Sequence, residues 1–296
     1  MDQIKQVAIV GGVHGNEFSG IYLIRHYQQQ PQWITRSSFQ CQTIWANPEA
    51  HHANKRYLHS DLNRQFKTAD LANPNLSNYE QSRAKVLNQQ LGPKGNAKTD
   101  LLIDLHNTTS NMGACLILTQ AGPFYNQLAA YVKMQMPEAI ISRDEDHIAA
   151  QDHALMCTLG RYGVLVEVGP QPQSVLRHDV MDLMHRMTQH ILDFVQLYNT
   201  NTVPNLPKQT EAFRYLTSIK LPVNEQGERL GMVHKNVQDK DYHPIHRGDP
   251  LFSLFDGGVI YYEGENTVYP TFINEAAYYD NNLAMSLNEK VIIELP

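Results

Sequence analysis

The sequence predicts an α/β sandwich followed by a smaller, mostly β domain. Up to Tyr198, short apolar runs alternate with stretches of helical spacing, which is typical of a sheet covered by helices on both faces. A polar, proline-bearing segment follows at residues 199–208, and beyond it short strand-like runs are separated by turn residues. We therefore place the two domains at residues 1–199 and 207–296.

Each element of this prediction rests on the spacing of apolar residues. Short apolar runs of the first domain have the length of buried strands, and they lie at residues 7–10, 42–46, 101–105 and 164–168. Helical spacing occurs at residues 18–29, 79–91, 124–134 and 180–198. The strand-like runs of the second domain are residues 213–219, 251–254, 259–262 and 268–273.

Composition excludes several classes of function. The chain has 296 residues, of which 42% are hydrophobic, and its net charge of −6 comes without a basic block that could follow a phosphate backbone. No uncharged apolar run approaches the roughly 18 residues that span a bilayer, and the N-terminus lacks the features of a signal peptide. The cysteines are odd in number and none are closely paired: Cys41, Cys115 and Cys157. We expect a cytoplasmic protein that binds neither nucleic acid nor membrane; the sequence leaves a homo-oligomer open.

Three polar stretches follow apolar runs, where open α/β sheets place their ligands. They contain His14 and Glu17, then His106, then Glu167. Two imidazoles and a carboxylate are the ligand set that leaves one position of a tetrahedral zinc open for water, and a further carboxylate supplies the base. His14 and Glu17 are three residues apart at a loop-to-helix junction, so one turn can aim both at a single ion. The pattern points to a zinc hydrolase.

Other interpretations of these residues stay open at this stage. The chain has 14 histidines, and a single histidine is more often a surface or hydrogen-bonded core residue than a ligand. Asp104 and His106 face the same side of a strand and would also suit an ordinary buried ion pair. The Gly11-Gly12 turn lacks the spacing of a phosphate-binding loop. A zinc-stabilised binding protein is the non-enzymatic alternative, but it would have a closed ligand set or lack a base such as Glu167.

Five stretches closely resemble the aspartoacylase/succinylglutamate desuccinylase family, which includes aminoacylase-3. They are residues 7–17, 56–64, 104–113, 166–177 and 268–279, so the resemblance covers nearly the whole chain. It implies the zinc-carboxypeptidase-like fold, a three-layer α/β sandwich with a mixed sheet, and a C-terminal β domain that closes over the active site. It also implies hydrolysis of a small-molecule N-acyl amino acid.

The resemblance also implies roles for individual residues. It assigns one zinc ion per chain to His14, Glu17 and His106, and the general base to Glu167. Arg56 resembles the residue that polarises the scissile carbonyl. The residues that resemble the family's clamp on the substrate carboxylate are Asn63, Arg64 and Tyr278. Without the resemblance, the arginines suit a solvated loop and the tyrosine suits a core.

One position departs from the family. In aspartoacylase an arginine ten residues before the catalytic glutamate helps to bind the second carboxylate of the substrate. Here that position is Cys157, and the family's tyrosine four residues earlier is His153. We expect N-acetyl-L-aspartate as the first substrate to test, with other N-acyl amino acids or a desuccinylase reaction as the alternative. Cys157 should weaken selectivity for aspartate unless Arg161 or Arg143 replaces the charge; otherwise it is a small buried residue without a functional role.

Overall fold

The computed structural model describes residues 3–144, 148–278 and 280–295. Tyr279, at the end of the last family-like stretch, lies outside the described residues. The helices are α1 (Phe18–Gln29), α2 (Pro48–His52), α3 (Thr68–Ala72), α4 (Tyr79–Leu91), α5 (Pro123–Gln135) and α6 (His178–Asn199). The strands are β1 (Gln6–Gly11), β2 (Gln40–Trp45), β3 (Leu101–Asn107), β4 (Gly113–Leu118), β5 (Ile140–Arg143), β6 (Tyr162–Gly169), β7 (Gln209–Lys220), β8 (Gly231–Val233), β9 (Pro250–Leu254), β10 (Val259–Tyr261), β11 (Tyr269–Thr271) and β12 (Leu283–Glu294).

The predicted α/β class and mixed sheet are confirmed. Among the described residues, nine strands form one sheet in the order β11-β12-β7-β5-β4-β6-β3-β1-β2, and a second sheet has the order β10-β9-β8. Strands β2, β1, β3 and β6 run parallel, whereas β4 runs antiparallel to β6. The strands predicted in the first domain correspond to β1, β2, β3 and β6. The prediction missed β4, β5, β8 and β12.

The large sheet has a different core on each face, because successive side chains of a strand point to opposite sides. Leu101, Ile103 and Leu105 of β3 pack on the face covered by α1, α5 and α6. Leu102 packs on the other face, together with Leu165 of β6. The alternation of β3 therefore turns Asp104 and His106 towards this second face, where His106 lies opposite Glu167. The register of two buried strands thus places the predicted ligand beside the predicted base.

The C-terminal region has its own apolar core and is also joined to the large sheet. Its core includes Leu251, Phe252 and Met285. Strand β7 pairs in parallel with β5, and β12 pairs antiparallel with β7. Helix α6 ends at Asn199 and β7 begins at Gln209, and we propose that the domain boundary lies between them. In the described parts of the chain, no helix is long and apolar enough to cross a membrane.

Candidate metal centre and active site

One cavity on the second face of the sheet brings the predicted site residues together. All eight line it: His14, Glu17, Arg56, Asn63, Arg64, His106, Glu167 and Tyr278. They come from the loops after β1 and α2, from β3 and β6, and from the C-terminal region. Convergence from five separate parts of the chain is expected of a functional site, and the individual roles stay predictions.

Glycines allow the loop between β1 and α1 to carry two ligands in a small space. Gly12 has a φ of +69°, a conformation that residues with a side chain rarely adopt. A Cβ added at Gly15 would lie 2.2 Å from the backbone carbon of Ala50 in α2, so only glycine fits there. The loop therefore turns tightly, and His14 and Glu17 reach the same point while remaining only 3% and 5% exposed.

The three predicted ligands face one another through ligand atoms. His14 Nδ1 lies 2.7 Å from Glu17 Oε1, and His106 Nδ1 lies 3.0 Å from Glu17 Oε2. Among the described residues, these three form the group of histidine, cysteine and acidic side chains whose ligand atoms lie within 4.8 Å of one another. All three are buried. Two imidazole nitrogens and a carboxylate directed at one point are the donors that a divalent cation such as zinc requires.

Two further carboxylates contact the outer nitrogens of the imidazoles. His14 Nε2 lies 3.0 Å from Asp61 Oδ1, and His106 Nε2 lies 3.0 Å from Asp104 Oδ2. Asp104 is completely buried, and among the described residues its carboxylate faces the imidazole of His106. A buried carboxylate of this kind requires a positive charge nearby. A cation bound through His106 would supply that charge, so the residues present fit a metal ion.

The cluster is strongly coupled by charge. Burial alone would raise the pKa of Glu17, but His14 and His106 outweigh it and hold the pKa well below its ordinary value. Burial would lower the pKa of His106, but Asp104 and Glu17 outweigh it and raise the pKa well above its ordinary value. The imidazoles and carboxylates of the cluster therefore stabilise one another through their opposite charges.

Glu167 lies beside this cluster and is not part of it. The residue opposite it on β4 is Cys115, whose sulfur lies 3.1 Å from the hydroxyl of Tyr242 in the C-terminal region. Burial raises the pKa of Glu167 well above its ordinary value, and the nearby Glu17 adds to this, whereas His106 opposes it. A carboxyl group with a high proton affinity at the edge of a candidate metal site is suited to accept and return a proton.

The two predicted arginines have different surroundings. Arg56 Nη1 donates to Glu17 Oε1 at 2.8 Å and Nη2 donates to Asp61 Oδ2 at 3.3 Å. Burial would lower the pKa of Arg56, but Glu17 and Asp61 outweigh it and raise the pKa. Arg64 Nη1 donates only to the carbonyl of Asn63, at 2.9 Å, among the bonds of the described residues. Arg56 is therefore held against the candidate metal ligand Glu17, whereas Arg64 has N–H groups left that can donate to a bound molecule.

Asn63 has a fixed orientation. Its Oδ1 accepts from the backbone N–H of Met156 at 2.7 Å, so its Nδ2 faces the cavity, 3.3 Å from His106 Nε2. Tyr278 lines the cavity from the C-terminal region. Burial raises the pKa of Tyr278, although Arg64 and Arg56 oppose the increase. The amide, the phenol and the Arg64 guanidinium are thus three hydrogen-bond donors in the lining of the cavity.

Sequence reasoning missed the carboxylates that connect the C-terminal region to the site. Glu275 Oε2 accepts from the backbone N–H of Thr109 at 2.7 Å and from the hydroxyl of Thr108. Asp241 accepts from the backbone N–H groups of Asn111 and Ile273, both at 3.2 Å. The loop that follows His106 is therefore held by two acidic side chains. Glu275 lies in a family-like stretch, whereas no motif marks Asp241.

Cys157 and the two candidate replacement arginines, Arg143 and Arg161, are not part of the lining of this cavity. Cys157 is completely buried and packs in the core of the second sheet face, which agrees with the interpretation of a small buried residue. Arg161 pairs with Asp100 at 2.9 Å. Asp100 comes just before β3, so this ion pair lies at the end of the strand opposite to His106. Arg143 pairs through its backbone with Leu118, and neither residue lines the cavity. Cys157 therefore does not present its side chain to a substrate.

Two models of known protein domains match this chain. The model of the succinylglutamate desuccinylase/aspartoacylase catalytic domain matches residues 3–195, and the model of the AstE/AspA barrel-sandwich hybrid domain matches residues 208–290. The chain therefore belongs to the succinylglutamate desuccinylase/aspartoacylase family. This confirms the family resemblance and supports an enzyme that hydrolyses an N-acyl amino acid.

Individual relatives cover the whole chain but differ in their named substrates. A probable aspartoacylase from Trichodesmium erythraeum is 39% identical over 295 residues, covering 100% of both chains. A human N-acyl-aromatic-L-amino acid amidohydrolase is also 39% identical, over 100% of this chain and 93% of the human one. The crystal structure of murine aminoacylase 3 matches with a TM-score of 0.93 and 39% identity, covering 100% of this chain and 98% of the murine one. The predicted zinc-carboxypeptidase-like fold is confirmed.

Proposed function

We propose that this protein is a zinc-dependent amidohydrolase that cleaves an N-acyl-L-amino acid into a carboxylate and a free amino acid. The observation that carries the proposal is the buried cluster of His14, Glu17 and His106, with the separate carboxyl group of Glu167 beside it in one cavity. A site that only bound zinc would need neither a base nor the donors of Arg64 and its neighbours. The names of the relatives support the same reaction class.

His14, Glu17 and His106 would hold the zinc. When bound, zinc supplies a water of lowered pKa and a positive charge beside the carbonyl oxygen. The Glu167 carboxylate accepts a proton at one oxygen and delivers it to the leaving amine. Arg56 keeps a fixed positive charge where negative charge develops on the carbonyl oxygen, and Glu17 and Asp61 hold its guanidinium in place.

The substrate carboxylate would be bound by three other donors of the cavity lining, those of Asn63, Arg64 and Tyr278. Arg64 offers a planar pair of N–H groups that matches a carboxylate. Asn63 Nδ2 and the Tyr278 hydroxyl add donors from a second direction. Such a clamp recognises the α-carboxylate that all N-acyl amino acids share, so it is compatible both with N-acetyl-L-aspartate and with N-acyl amino acids that have other side chains.

Glu167→Gln tests the proposal most directly. The zinc-loaded protein should release free amino acid from at least one of N-acetyl-L-aspartate, N-acetyl-L-methionine and N-acetyl-L-tyrosine. We expect Glu167→Gln to keep its zinc, because the side chain is not a ligand, while kcat falls by about 10²- to 10⁴-fold, the usual contribution of a positioned base. Zinc content by atomic emission and turnover are measured on the same samples.

The control for this variant is Glu265→Gln, since Glu265 is exposed in the C-terminal region and does not line the cavity. It should match the natural protein in both measurements. Near-normal turnover in Glu167→Gln would refute the role of the base, and loss of zinc from that variant would instead place Glu167 among the ligands.

A further inference from the structure

Two segments of the chain meet at the proposed carboxylate clamp. The first segment, residues 62–66, contains the Asn63 amide, and the second segment is residues 153–158. The backbone N–H of Met156 in the second segment donates to Asn63 Oδ1 at 2.7 Å. Leu155, the residue before Met156, lines the cavity itself. The position of the clamp therefore depends on how the second segment is held against the first.

The ammonium group of Lys94 connects these two segments. Its Nζ donates to the carbonyl of Phe66 at 2.8 Å, to the hydroxyl of Thr158 at 2.8 Å and to the carbonyl of His153. An ammonium group has three N–H donors, so these bonds use all of them. The Thr158 hydroxyl donates in turn to the carbonyl of Leu155 at 2.6 Å. A single cation thus holds both ends of the second segment against the end of the first.

Lys94 reaches these segments from outside the cavity. It follows the end of α4 and is not among the described residues that line the cavity. Its backbone N–H donates to Asn88 Oδ1 at 2.8 Å, which ties the turn to α4. Leu87 and Leu91 of this helix are completely buried. The ammonium is therefore presented by an element that is packed in the core.

The surroundings of Lys94 make its hydrogen bonds strong. Burial lowers the pKa of Lys94 to about 8, although Cys157 and Asp152 oppose the decrease. The side chain is thus charged at neutral pH and carries all three donors. Hydrogen bonds from a charged donor are stronger than those between neutral groups, and more so where little water competes.

We propose that Lys94 is a positioning residue for substrate binding, because it holds Asn63 and Arg64 where they can bind the substrate α-carboxylate. This inference rests on the proposed function and adds a residue that acts through the clamp. The α-carboxylate does not react, so its contacts have similar strength in the bound substrate and in the transition state. Loss of such contacts raises KM and leaves kcat nearly unchanged.

Substrates with and without the α-carboxylate isolate this effect. We would measure kcat and KM of the zinc-loaded protein for the best hydrolysed of the three N-acetyl amino acids named above, and kcat/KM for its α-amide. Lys94→Met removes the donors and keeps an aliphatic side chain. For the acid we expect KM to rise about 5- to 20-fold, less than the loss of a whole charge-assisted hydrogen bond, with kcat changed less than about twofold. For the α-amide we expect kcat/KM to stay nearly constant.

Three further variants complete the design. Lys94→Gln also removes the charge but stays polar, and it should shift KM in the same direction as Lys94→Met. Lys94→Arg keeps the charge and several donors, so its KM should stay within about threefold of the natural value. Lys98→Met is the matched control, because Lys98 is an exposed lysine of the same turn that donates to the carbonyl of Gln89, and it should match the natural protein.

A second measurement does not depend on turnover. Isothermal titration calorimetry gives the affinity of zinc-loaded Glu167→Gln for the same N-acetyl amino acid. Adding Lys94→Met to this variant should weaken binding by the factor by which KM rises in the single variant.

The outcomes separate this inference from the proposed function. If Lys94→Met and Lys94→Gln leave KM unchanged, or reduce kcat/KM equally for the acid and its α-amide, Lys94 does not position the clamp, although the enzyme class stands. The inference also fails if Lys94→Arg is as impaired as Lys94→Met. If the zinc-loaded natural protein hydrolyses none of the three N-acetyl amino acids, the proposed function fails and the inference fails with it.

Discussion

The candidate metal end of the cavity, formed by His14, Glu17 and His106, and its apolar wall, formed by Ile117, Leu155, Leu165 and Phe272, are built in different ways. Charged and polar side chains at the metal end come from the ends of β1, β3 and β6 and contact one another within about hydrogen-bond distance. The apolar wall comes from Ile117 and Leu165 inside strands and from loop residues far apart in the chain. The polar end therefore holds the groups of the proposed reaction, whereas the apolar wall offers van der Waals contact to uncharged parts of a bound molecule.

His106→Ala should give the largest effect, because it removes a proposed ligand from the metal end. We expect most of the zinc to be lost and kcat/KM to fall by about 10³-fold or more for every substrate, since the metal contributes several kcal/mol to the barrier. Ratios between substrates should not change in the residual activity. His52→Ala, at an exposed histidine of α2, is the control. Full zinc occupancy in His106→Ala would contradict the assignment of this ligand.

Asp104→Asn should have an intermediate effect, because Asp104 acts on the metal through His106. Replacing its charge should weaken zinc binding by about 10- to 100-fold, the usual cost of losing an outer carboxylate. A competition titration with a chromophoric chelator measures this affinity. Asp100→Asn, just before the same strand but at its opposite end, should keep the natural affinity. An unchanged zinc affinity in a folded Asp104→Asn protein would show that the buried carboxylate serves only the fold.

Asp241→Asn should have the smallest effect on zinc binding and turnover, because Asp241 does not line the cavity; its effect is on stability, where the C-terminal region meets the loop after His106. Burial raises the pKa of Asp241 from 3.8 to about 7, although N–H groups of Ile273 and Asn111 oppose the increase. Between these values the folded protein binds more protons than the unfolded chain. The contribution of Asp241 to the free energy of unfolding is therefore complete below pH 4 and is lost as the pH rises to 7, by up to about 1.4 kcal/mol for each unit.

The Asp241→Asn variant should lack this decline, so the difference in urea midpoint between it and the natural protein should change from pH 5 to pH 8. Asp239→Asn provides the comparison, because Asp239 is exposed two residues away and its positive φ suits asparagine. A constant difference across this pH range would mean that Asp241 has an ordinary pKa in the folded protein.

The sequence singles out the residues of the candidate metal end because their pattern is local. His14 and Glu17 share one turn, and Glu167 directly precedes a Val-Gly-Pro stretch at the end of an apolar run, so pattern and family resemblance agree on them. Strand β4 was missed because its run of apolar residues, 113–118, begins inside a recognised polar motif. Strand β12 was missed because its first half is buried without the alternation expected of a strand.

The apolar wall could not be predicted, because its members have no common motif. Leu165 and Ile117 are brought together only by the antiparallel register of β4 and β6. The same limitation applies to Cys157. Its distance from Glu167 in the sequence matches a family position. In the structure the turn before β6 brings the backbone of Cys157 against Gly163, and a Cβ added at Gly163 would lie 2.2 Å from the Cys157 carbonyl oxygen.

The pairing of β7 with β5 limits how the C-terminal region can move relative to the large sheet. A C-terminal domain attached by a linker alone could rotate as a rigid body. Here the same rotation would break the hydrogen bonds between β5 and β7 and separate the Tyr242 hydroxyl from the sulfur of Cys115 on β4. The segment from Phe272 to Tyr278 is held mainly by the bonds of Glu275 and Asp241 to the loop after His106. Any movement of this segment away from the loop after His106 would break these bonds, so the position of Tyr278 in the cavity depends on the two carboxylates.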